Sequence, residues 1–543
     1  MKLSPVVMYN SGIWEISRPY RWTLITWRAV GMVVVLLRFF LFKIPVEFLF
    51  TRFLGREHGP FLHDRVTAIS LIRHVLVELG PIFIKLGQIL GQEVMIPPRI
   101  RDDLMKIVDD VPPFGFKEAR RIIEAEFQGK TLEELFSEFD EKPDHAASLC
   151  EMHRAVLRYE GYEVAVKVQR PYINGVAKLD LTILDILIKI GPFVWSDLFK
   201  MVELKTILKA FTDTLWDELD FQLEGRNQER WANKIAETEM YRDYVKVARV
   251  YWPYTTMKVL TQEYVRDFVK WGTKRGLELS ALSKVDGTPW QGHTIPMLMC
   301  LFNGVQLIDW NFFHGDMHKG NWYMWEDPDD GRIKLFVCDF GMRGDVAPDA
   351  CSIIMRLVGG AMVGINDDEI EQLIFDLHEG GGGRREDLPP GVARTLGKRL
   401  LGKISGEVIP ESGLRTMRAT PMGMRGTVSM DTFGAALAGG IGPMGFKLPE
   451  WIFLWGKLCT YCSCLAQESC PGWDGGTSVY TPMILNATKK NILEEIEDAN
   501  VVNFNRRVDM VMRKNLIGDL YGMWKVFSRT ASLGTSPGTD SKT

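Results

Sequence analysis

The chain has 543 residues, 46% of them hydrophobic and 25% charged, which is the composition of a folded protein long enough for more than one domain. Its net charge is -4 and its Lys and Arg residues are spread along the chain, so no basic patch indicates a nucleic-acid partner. Eight cysteines in so long a chain do not form the dense pattern of a disulfide framework, which indicates a reducing compartment.

The stretch from residue 21 to residue 53 is rich in Trp, Phe, Leu and Val, but three cations interrupt it, Arg28, Arg38 and Lys43. Its longest uninterrupted apolar run, residues 29–37, is shorter than the ~18 residues that indicate a transmembrane helix. Basic flanks with few acids favour an anionic membrane surface or an organelle-targeting role. We therefore expect an interfacial anchor, with a helix docked on the protein's own surface as the alternative.

Residues 64–92 have a helical pattern that is broken at Gly80 and the proline after it, which predicts two packed helices. In residues 147–169 the helical pattern gives way to the two-residue alternation of a β-strand, with a turn before it. This pattern predicts a hairpin that leads into a strand. Three valines share one face of this predicted strand: Val164, Val166 and Val168.

Helical patterns fill residues 180–235, a short strand is predicted near residues 257–265, and helices are expected to resume at residues 296–313. The four glycines at 380–383 lack the Lys-Ser/Thr pair of a phosphate loop, so we interpret them as a flexible connector. Amphipathic helical stretches continue to about residue 530, and the polar tail after it is expected to be disordered.

Four cysteines lie close together in the sequence: Cys459, Cys462, Cys464 and Cys470. A Cys-x-x-Cys opening is compatible with a zinc or iron-sulfur site. The surrounding residues 450–467 have apolar residues at helical spacing, so we favour a buried helix in which free cysteine packs as a small apolar side chain.

The strongest chemical signal is a motif from His314 to Asn321, followed by Cys-Asp-Phe-Gly after an apolar strand at residues 333–337. Phosphoryl transfer needs metal ligands for the phosphates and a carboxylate that orients the attacking oxygen. Asp316 lies five residues before Asn321, as in the catalytic loop of protein kinases, and Asp339 follows the strand as the metal-binding aspartate does there.

The two histidines of this motif, His314 and His318, leave two other interpretations open. Their spacing of four residues resembles that of a zinc hydrolase, but glycines disfavour a helix there and no Glu adjoins either histidine. A loop histidine that bonds backbone groups is the second interpretation.

A kinase-like site also needs a lysine on an upstream strand and an acidic helix residue that pairs with it. Lys167 lies on the predicted strand, opposite the valines, and Glu218, Asp220 and Glu224 follow. On a helix Asp220 and Glu224 share a face with Asn227. Either feature alone is typical of solvated surface, but their order is the one that a kinase needs.

Over residues 64–467 the chain resembles the UbiB/ADCK atypical kinases, also called the aarF-domain family. Three motifs carry the resemblance: a Lys-x-Gly-Gln helix motif, an alanine-rich loop and a Glu-x-Asp motif. Their residues are Lys85, Gly87 and Gln88, then Ala146, Ala147 and Ser148, then Glu218 and Asp220. In the family, the extension that carries the first motif covers the active site and blocks the groove for a peptide substrate.

The resemblance implies roles for the candidate catalytic residues. Lys167 would contact the phosphates of ATP and pair with Glu224 or Glu218, and Asp220 belongs to the same acidic motif. Asp316 would be the catalytic aspartate.

The resemblance also implies ATP and Mg²⁺ as cofactors. Asn321 and Asp339 would hold the metal, Glu263 and Val265 would contact adenine at the hinge, and the three residues from Ala146 would bind the nucleotide.

Lys85 and Gln88 would form an inhibitory or gating pair over the nucleotide. The chain departs from the family where His145 and Glu151 replace an alanine and a glutamine of the loop, a difference that bears on nucleotide preference. Residues 91–95 replace the usual Ser-x-Arg-x-Asp stretch, a difference that bears on the contacts between extension and core.

We therefore expect an α+β fold, an atypical protein-kinase-like fold of two lobes with a helical Lys-x-Gly-Gln extension and a helical C-terminal region. The expected domains, in order, are a membrane-associating segment at 1–60, the extension at 61–135, an N-lobe at 136–265, a C-lobe at 266–375, a helical region at 376–530 and a tail at 531–543.

The function expected from this resemblance is that of a kinase or ATPase that uses Mg-ATP at a membrane surface to support isoprenoid-quinone (coenzyme Q-like) biosynthesis or lipid homeostasis. The alternative is a pseudokinase scaffold that binds nucleotide or lipid, and a protein serine/threonine kinase is disfavoured by the blocked groove. Expected partners are membrane lipid, quinone precursors, quinone-biosynthesis enzymes and a second copy of the chain. The expected location is the matrix side of the mitochondrial inner membrane, with a plastid or bacterial cytoplasmic membrane as the alternative.

Overall fold

The computed structural model describes residues 18–43, 68–92, 113–194, 204–237, 239–282, 310–317, 319–346, 366–388 and 391–404, with a few single residues elsewhere. The cysteine cluster, the helical pattern beyond residue 404 and the C-terminal tail lie almost wholly outside these ranges. His318 and the side chain of Gln88 lie outside them as well.

The chain forms two compact units, and the segments of each unit are not contiguous in sequence. The first unit comprises Met1–Asn233, Val247–Arg266 and Asp339–Met342, and the second comprises Lys234–Lys246, Asp267–Cys338 and Arg343–Thr543. The six domains expected from the sequence remain predictions.

The first unit is a mixture of helices and one antiparallel sheet. Its helices are α1 Arg18–Arg38, α2 Ala68–Leu79, α3 Pro81–Gln92, α4 Phe116–Glu126, α5 Leu132–Leu135, α6 Ile173–Val194, α7 Leu204–Glu218 and α8 Phe221–Glu237. Its strands are β1 Phe136–Phe139, β2 His145–Ala146, β3 Cys150–Leu157, β4 Glu163–Gln169 and β6 Val259–Glu263. A π-helical turn, Phe39–Lys43, follows α1, and a 3-10 turn, Trp252–Tyr254, precedes β6.

The two helices predicted around Gly80 are confirmed as α2 and α3. Gly80 joins them at a φ of +111°, a backbone conformation that only glycine adopts without strain. Proline begins α3, where its missing N–H removes no helical hydrogen bond.

The predicted hairpin is also confirmed, as β3 and β4. The sheet has the order β1-β3-β4-β6, with β2 on β3. Val164 pairs with Ala155 on one side and with Glu263 on the other. Val164, Val166 and Val168 are fully buried, and each contributes roughly 1.5–3 kcal/mol by leaving water.

These valines pack against α4 and α5 in a core that also includes Ile123, Leu132 and Phe136. A second core joins α3 to α6 and α7 through Ile82, Ala177 and Leu215. The helix that carries Lys85 is therefore part of the hydrophobic core of the first unit.

The second unit has short strands and three helices of at least nine residues among its described segments. Its elements are α9 Glu239–Arg242, β5 Val245–Val247, β7 Val269–Lys270, α10 Lys274–Leu282, β8 Phe312–His314, β9 Trp322–Glu326, β10 Ile333–Val337, β11 Arg343–Asp345, α11 Asp367–Gly380 and α12 Val392–Ile404. Two 3-10 turns, Lys319–Asn321 and Arg385–Asp387, complete it. One sheet has the order β5-β10-β9-β7, and β8 pairs with β11.

The helix expected across residues 296–313 is wrong at its end, because Phe312 and Phe313 lie in β8. Most of the remaining residues of that prediction lie outside the described ranges. The error has a physical source, since a short apolar run has the same pattern in a buried strand and in a buried helix.

The four-glycine run connects two helical segments, as predicted, but it forms a packed turn. Gly381 caps α11 and Gly382 has a φ of +77°. A Cβ placed on Gly383 would lie 2.3 Å from the ring of His378, so the ring fits only against glycine.

Candidate functional site

The first unit brings together the strand lysine and an acidic helix residue. The Nζ of Lys167 donates to both carboxylate oxygens of Glu224, at 2.8 Å each. Both side chains are buried, 14% and 4% exposed. Burial alone would lower the pKa of Lys167, but the carboxylates of Glu224 and Asp339 more than offset it, so its pKa lies well above the usual value.

Asp339 lies beside this pair. Its Oδ1 is 3.8 Å from Lys167 Nζ and its side chain is half exposed. The backbone of Asp339 has a φ of +64°, which is costly for any residue with a Cβ and is often found at functional sites. The carboxylate is thus held next to the lysine while part of it still faces solvent.

Helix α8 fixes the backbone that follows Asp339. The Nδ2 of Asn227 donates to the carbonyl oxygen of Phe340 at 3.0 Å. The ring of Trp231 meets the ring of Phe340 edge-on, with centroids 5.4 Å apart. The helix that supplies Glu224 therefore also positions the Asp-Phe-Gly segment.

Glu218, the other acidic candidate, pairs with the lysine of the extension. Lys85 Nζ is 2.6 Å from Glu218 Oε2, and both side chains are largely buried. A Cβ built on Gly341 would lie 3.4 Å from Glu218 Cγ, so this pair lies against the Asp-Phe-Gly segment. Of the two glutamates proposed as partners of Lys167, the structure brings Glu224 to it and places Glu218 with Lys85.

Asp220 lies just before α8 and caps it. Its Oδ1 accepts from the backbone N–H groups of Gln222 and Leu223, at 3.0 and 3.1 Å. Because these amides begin the helix that carries Glu224, the carboxylate stabilises the turn from which Glu224 projects. The expectation that Asp220 lies on the helical face of Glu224 is thus corrected to a capping position.

The alanine-rich loop is a tight turn between β2 and β3. Ala147 N donates to Cys150 O at 2.8 Å, and Ser148 is buried. Arg170 holds the turn from the end of β4, because its Nε donates to Ala147 O at 3.0 Å and its backbone N to Leu149 O at 2.8 Å. Burial lowers the pKa of Arg170.

Glu151, one of the two departures from the family pattern, is fully buried. Its Oε2 accepts from the backbone N of Phe114 at 2.9 Å, and its Oε1 is 3.0 Å from Nε2 of His153. His153 Nδ1 faces the carbonyl oxygen of Asp140 at 2.8 Å. Both carboxylate oxygens of Glu151 therefore have protein partners.

The two hinge residues lie at the end of β6. Glu263 pairs with Val164, and its Oε2 accepts from the backbone N of Arg249 at 3.1 Å. Val265 is buried two residues later. Their assignment to adenine binding remains a prediction.

In the second unit, one histidine organises the loop that carries Asp316. His314 Nδ1 accepts from the backbone N of Asp316 at 3.1 Å, so His314 Nε2 carries the hydrogen and faces Cys338 O at 3.4 Å. The interpretation of this histidine as a backbone-bonding residue is confirmed. Asp316 is buried.

Asn321 closes the same loop. Its Nδ2 donates to Asp316 O at 2.7 Å, and its own carbonyl oxygen accepts from Cys338 N at 3.1 Å. This orientation leaves the side-chain oxygen of Asn321 as the group suited to a metal ion.

Several positioning residues were missed by the sequence reasoning. Arg170 and Trp231 were not assigned to the site, and Asn227 was noted only for its helical spacing. The Arg-Pro pair after the lysine strand was a signal for Arg170, whereas nothing in the sequence distinguishes Trp231 from the chain's other tryptophans.

Comparison with known proteins supports the kinase-like interpretation. Residues 106–373 match the family described as the ABC1 atypical kinase-like domain. Together with the mixed helices and sheets of the structure, this match confirms the expected α+β, kinase-like fold class.

The chain is similar to proteins of bacteria and plants. An uncharacterized protein of Synechocystis sp. is 31% identical over 312 residues, which cover 56% of this chain and 48% of that protein. Protein ACTIVITY OF BC1 COMPLEX KINASE 8, chloroplastic, of Arabidopsis thaliana is 34% identical over 298 residues, 54% of this chain and 36% of that protein. An uncharacterized protein of Mycobacterium tuberculosis is 27% identical over 432 residues, 78% of each chain. The chain thus spans about half or less of the length of the first two relatives.

Proposed function

Because this chain belongs to the UbiB/ADCK family and carries its ABC1 atypical kinase-like domain, we propose that it is an atypical kinase or ATPase that uses Mg-ATP. The observation that carries the proposal is the buried contact of Lys167 with both oxygens of Glu224, with Asp339 beside them. A lysine fixed in this way presents its charge to the phosphates of a nucleotide.

The candidate metal ligands have the chemistry that Mg²⁺ prefers, since both present oxygen atoms. Asn321 has its amide nitrogen bonded to Asp316 O, and Asp339 has a half-exposed carboxylate. Asn321 of the second unit and Asp339 of the first unit are each proposed as a ligand for Mg²⁺, which would neutralise charge on the phosphates.

Asp316 is proposed as the catalytic aspartate, which would orient an attacking hydroxyl group or water molecule. His314 and Asn321 would act as positioning residues, because each bonds a backbone atom of Asp316. The loop geometry is therefore set before any substrate arrives.

A small molecule, a lipid or water is favoured over a protein as the acceptor. The resemblance supports this, because the family's extension blocks a peptide groove. The packing of α3 supports it too, because Ile82 of that helix lies in the core with Leu215 and Leu219. An extension built into the core would not move aside easily for a peptide.

The biological setting that we propose is a membrane surface at which the enzyme supports isoprenoid-quinone biosynthesis or lipid homeostasis. The quinone role rests on the family resemblance alone. The chloroplastic relative and the Synechocystis relative support a plastid or bacterial membrane over the mitochondrial inner membrane. Quinone-biosynthesis enzymes and a second copy of the chain remain proposed partners.

The test is steady-state ATP hydrolysis by the wild type and by Asp316→Asn, with Mg²⁺ and with EDTA. We expect Mg²⁺-dependent turnover that the substitution lowers by about a hundredfold or more, as loss of a general base does. In parallel, Asp339→Asn should remove the thermal stabilisation by Mg-ATP, because one charged ligand is lost.

Equal, near-zero rates in both proteins with stabilisation by Mg-ATP retained would favour the pseudokinase scaffold. Absence of stabilisation in the wild type would contradict nucleotide binding. Normal quinone levels in cells lacking the protein would contradict the quinone role alone.

A further inference from the structure

Helix α1 has an apolar stripe that the described protein does not cover. The stripe consists of residues spaced three and four apart along the helix and the turn after it: Trp27, Val30, Val34, Leu37 and Leu41. Each is about half exposed or more, from 48% at Val30 to 73% at Leu41. Five large apolar side chains on one face form a patch of the kind that marks an interaction surface.

The opposite face of α1 is occupied by the protein itself. Leu24, Ile25 and Met32 are buried against Leu79 of α2 and Ile183 of α6. The helix is therefore apolar on two faces, one packed against its own unit and one exposed. The packed face is the docked helix of the sequence analysis, and the exposed face is the surface that an interfacial anchor would use.

The charges along α1 have one sign. From residue 16 to residue 46 the sequence contains five cations and no acid. Arg38 is exposed and lies one turn from both Val34 and Leu41, at the edge of the stripe. A cation beside an apolar stripe suits an anionic lipid surface, where the side chain reaches the headgroups while the stripe enters the acyl boundary.

By length and composition, the helical stretch Thr23–Lys43 also meets the criterion for a membrane span, a criterion that core helices and signal segments satisfy too. The contacts of this helix with the rest of the protein argue against a helix that crosses the membrane. Arg28 Nε and Nη2 donate to the two carboxylate oxygens of Asp180, at 2.6 and 2.8 Å, and Nη2 also donates to Leu79 O at 2.7 Å. The Asp180 carboxylate is fully buried.

Two of the three cations that interrupt the apolar stretch are bound by the protein itself. Arg28 binds Asp180, and Lys43 forms an ion pair with Glu78 of α2. Crossing the bilayer would carry Arg28 into hydrocarbon and leave Asp180 as an unpaired buried charge. Only Arg38, among these three cations, remains for the membrane.

We propose that α1 is a monotopic lipid-binding helix, which lies in the surface of an anionic membrane through the stripe from Trp27 to Leu41 while Arg28 and Asp180 keep it docked on the protein. The proposal deepens the membrane association proposed above and is independent of the proposed chemistry.

The first test is flotation of the full chain with phosphatidylcholine vesicles, with and without phosphatidylglycerol. Trp27→Ser/Leu41→Gln removes the two ends of the stripe. The control Tyr159→Ser/Leu282→Gln removes an aromatic and a Leu side chain of similar exposure elsewhere. We expect about tenfold or greater loss of bound protein for the stripe variant, wild-type binding for the control, and stronger binding to anionic vesicles. Equal flotation of the two variants, or no flotation of the wild type, would overturn the proposal.

The second test measures depth. Val30→Cys, Val34→Cys and Leu41→Cys are each labelled with a fluorophore, and the background labelling is measured on the unchanged chain. A helix in the surface places all three labels at one shallow depth, whereas a spanning helix separates the first and last by ~16 Å. At all three positions we expect nitroxides near the lipid headgroup to quench the label more strongly than nitroxides deep in the acyl chains. A graded depth along the three positions would show crossing and contradict a monotopic helix.

ATP-dependent stabilisation is measured on the same samples. Flotation that depends on the stripe, in a protein that does not bind ATP, would leave this proposal intact and refute the proposed chemistry. Stabilisation by ATP in a protein whose flotation does not depend on the stripe would refute this proposal and leave the proposed chemistry intact.

Discussion

The ammonium group of Lys167 lies 2.8 Å from both carboxylate oxygens of Glu224 and 3.8 Å from Oδ1 of Asp339. The two contacts differ in environment, because Glu224 is buried whereas Asp339 is half exposed. Glu224 therefore fixes the lysine, and Asp339 is the carboxylate that can turn towards a ligand.

Glu224→Gln should lower both stability and nucleotide affinity. The substitution keeps the size of the side chain but leaves the charge of Lys167 without its buried partner, which costs about 3 kcal/mol of unfolding free energy. Urea denaturation and Mg-ATP titration measure the two effects. Glu237→Gln, an exposed position on the same helix, serves as the control and should change neither. Equal unfolding free energies for the two variants would contradict the assigned role of the pair.

Lys85→Ala should change nucleotide affinity or turnover by about fivefold or more without unfolding the protein, because it releases Glu218 beside the Asp-Phe-Gly segment. Nucleotide titration and thermal unfolding are the measurements. Lys189→Ala breaks an exposed lysine-aspartate pair on α6 and is the matched control. If Lys85 and Glu218 act as one unit, the double variant Lys85→Ala/Glu218→Gln differs little from either single variant. If Lys85→Ala has the same kinetics as the wild type, the contact of Lys85 with Glu218 contributes to packing and has no gating role.

Cys150 should resist alkylation in the native protein. Burial raises the pKa of its thiol to about 11, so at pH 8 about one thiol in a thousand is ionised, and only the thiolate reacts. Cys338 is outside any disulfide and is partly exposed, so its thiol should react before that of Cys150. Iodoacetamide labelling followed by peptide mass spectrometry compares the two. Equal labelling rates below the unfolding transition would contradict the burial of Cys150.

Arg28→Ala should destabilise the first unit more strongly as pH rises. Burial raises the pKa of Asp180, opposed by Arg28, so removing Arg28 raises this pKa further. At a pH between the usual pKa of an aspartate, about 3.9, and the raised pKa of Asp180, the folded state binds more protons than the unfolded state. The free energy of unfolding therefore falls as pH rises through this range. The loss is small below about pH 4 and reaches about 3 kcal/mol near pH 7.

Thermal unfolding of the wild type and of Arg28→Ala across this pH range measures the effect. Arg28→Ala/Asp180→Asn should recover most of the loss, because no buried charge remains. A destabilisation that is constant with pH would show that Asp180 does not carry it.

Local elements were predictable from the sequence where one periodicity dominates. The alternating valines of β4 and the apolar run of β10 fixed both strands, and Gly80 with its proline fixed the boundary between α2 and α3. These signals are local, since each depends on neighbours within about ten residues.

Long-range pairings were not predictable in the same way. Arg28 and Asp180 are 152 residues apart, and both read as ordinary charges in the sequence. Likewise, the spacing of Glu218 and Glu224 left open which would meet Lys167. That choice depends on where α7 ends and α8 begins, because Glu218 is the last residue of α7 and Glu224 lies in the first turn of α8.

The buried contact of Glu151 with His153 has a consequence for sequence variation among relatives. The resemblance places glutamine at the position of Glu151, and glutamine could accept from Phe114 N through its oxygen while its amide group donates to the ring nitrogen of His153. Both side chains are fully buried, so an apolar residue at either position would leave one buried polar atom of the other, Oε1 of Glu151 or Nε2 of His153, without its partner. Positions 151 and 153 should therefore covary: acid or amide at the first accompanies histidine at the second, and the two should become apolar together.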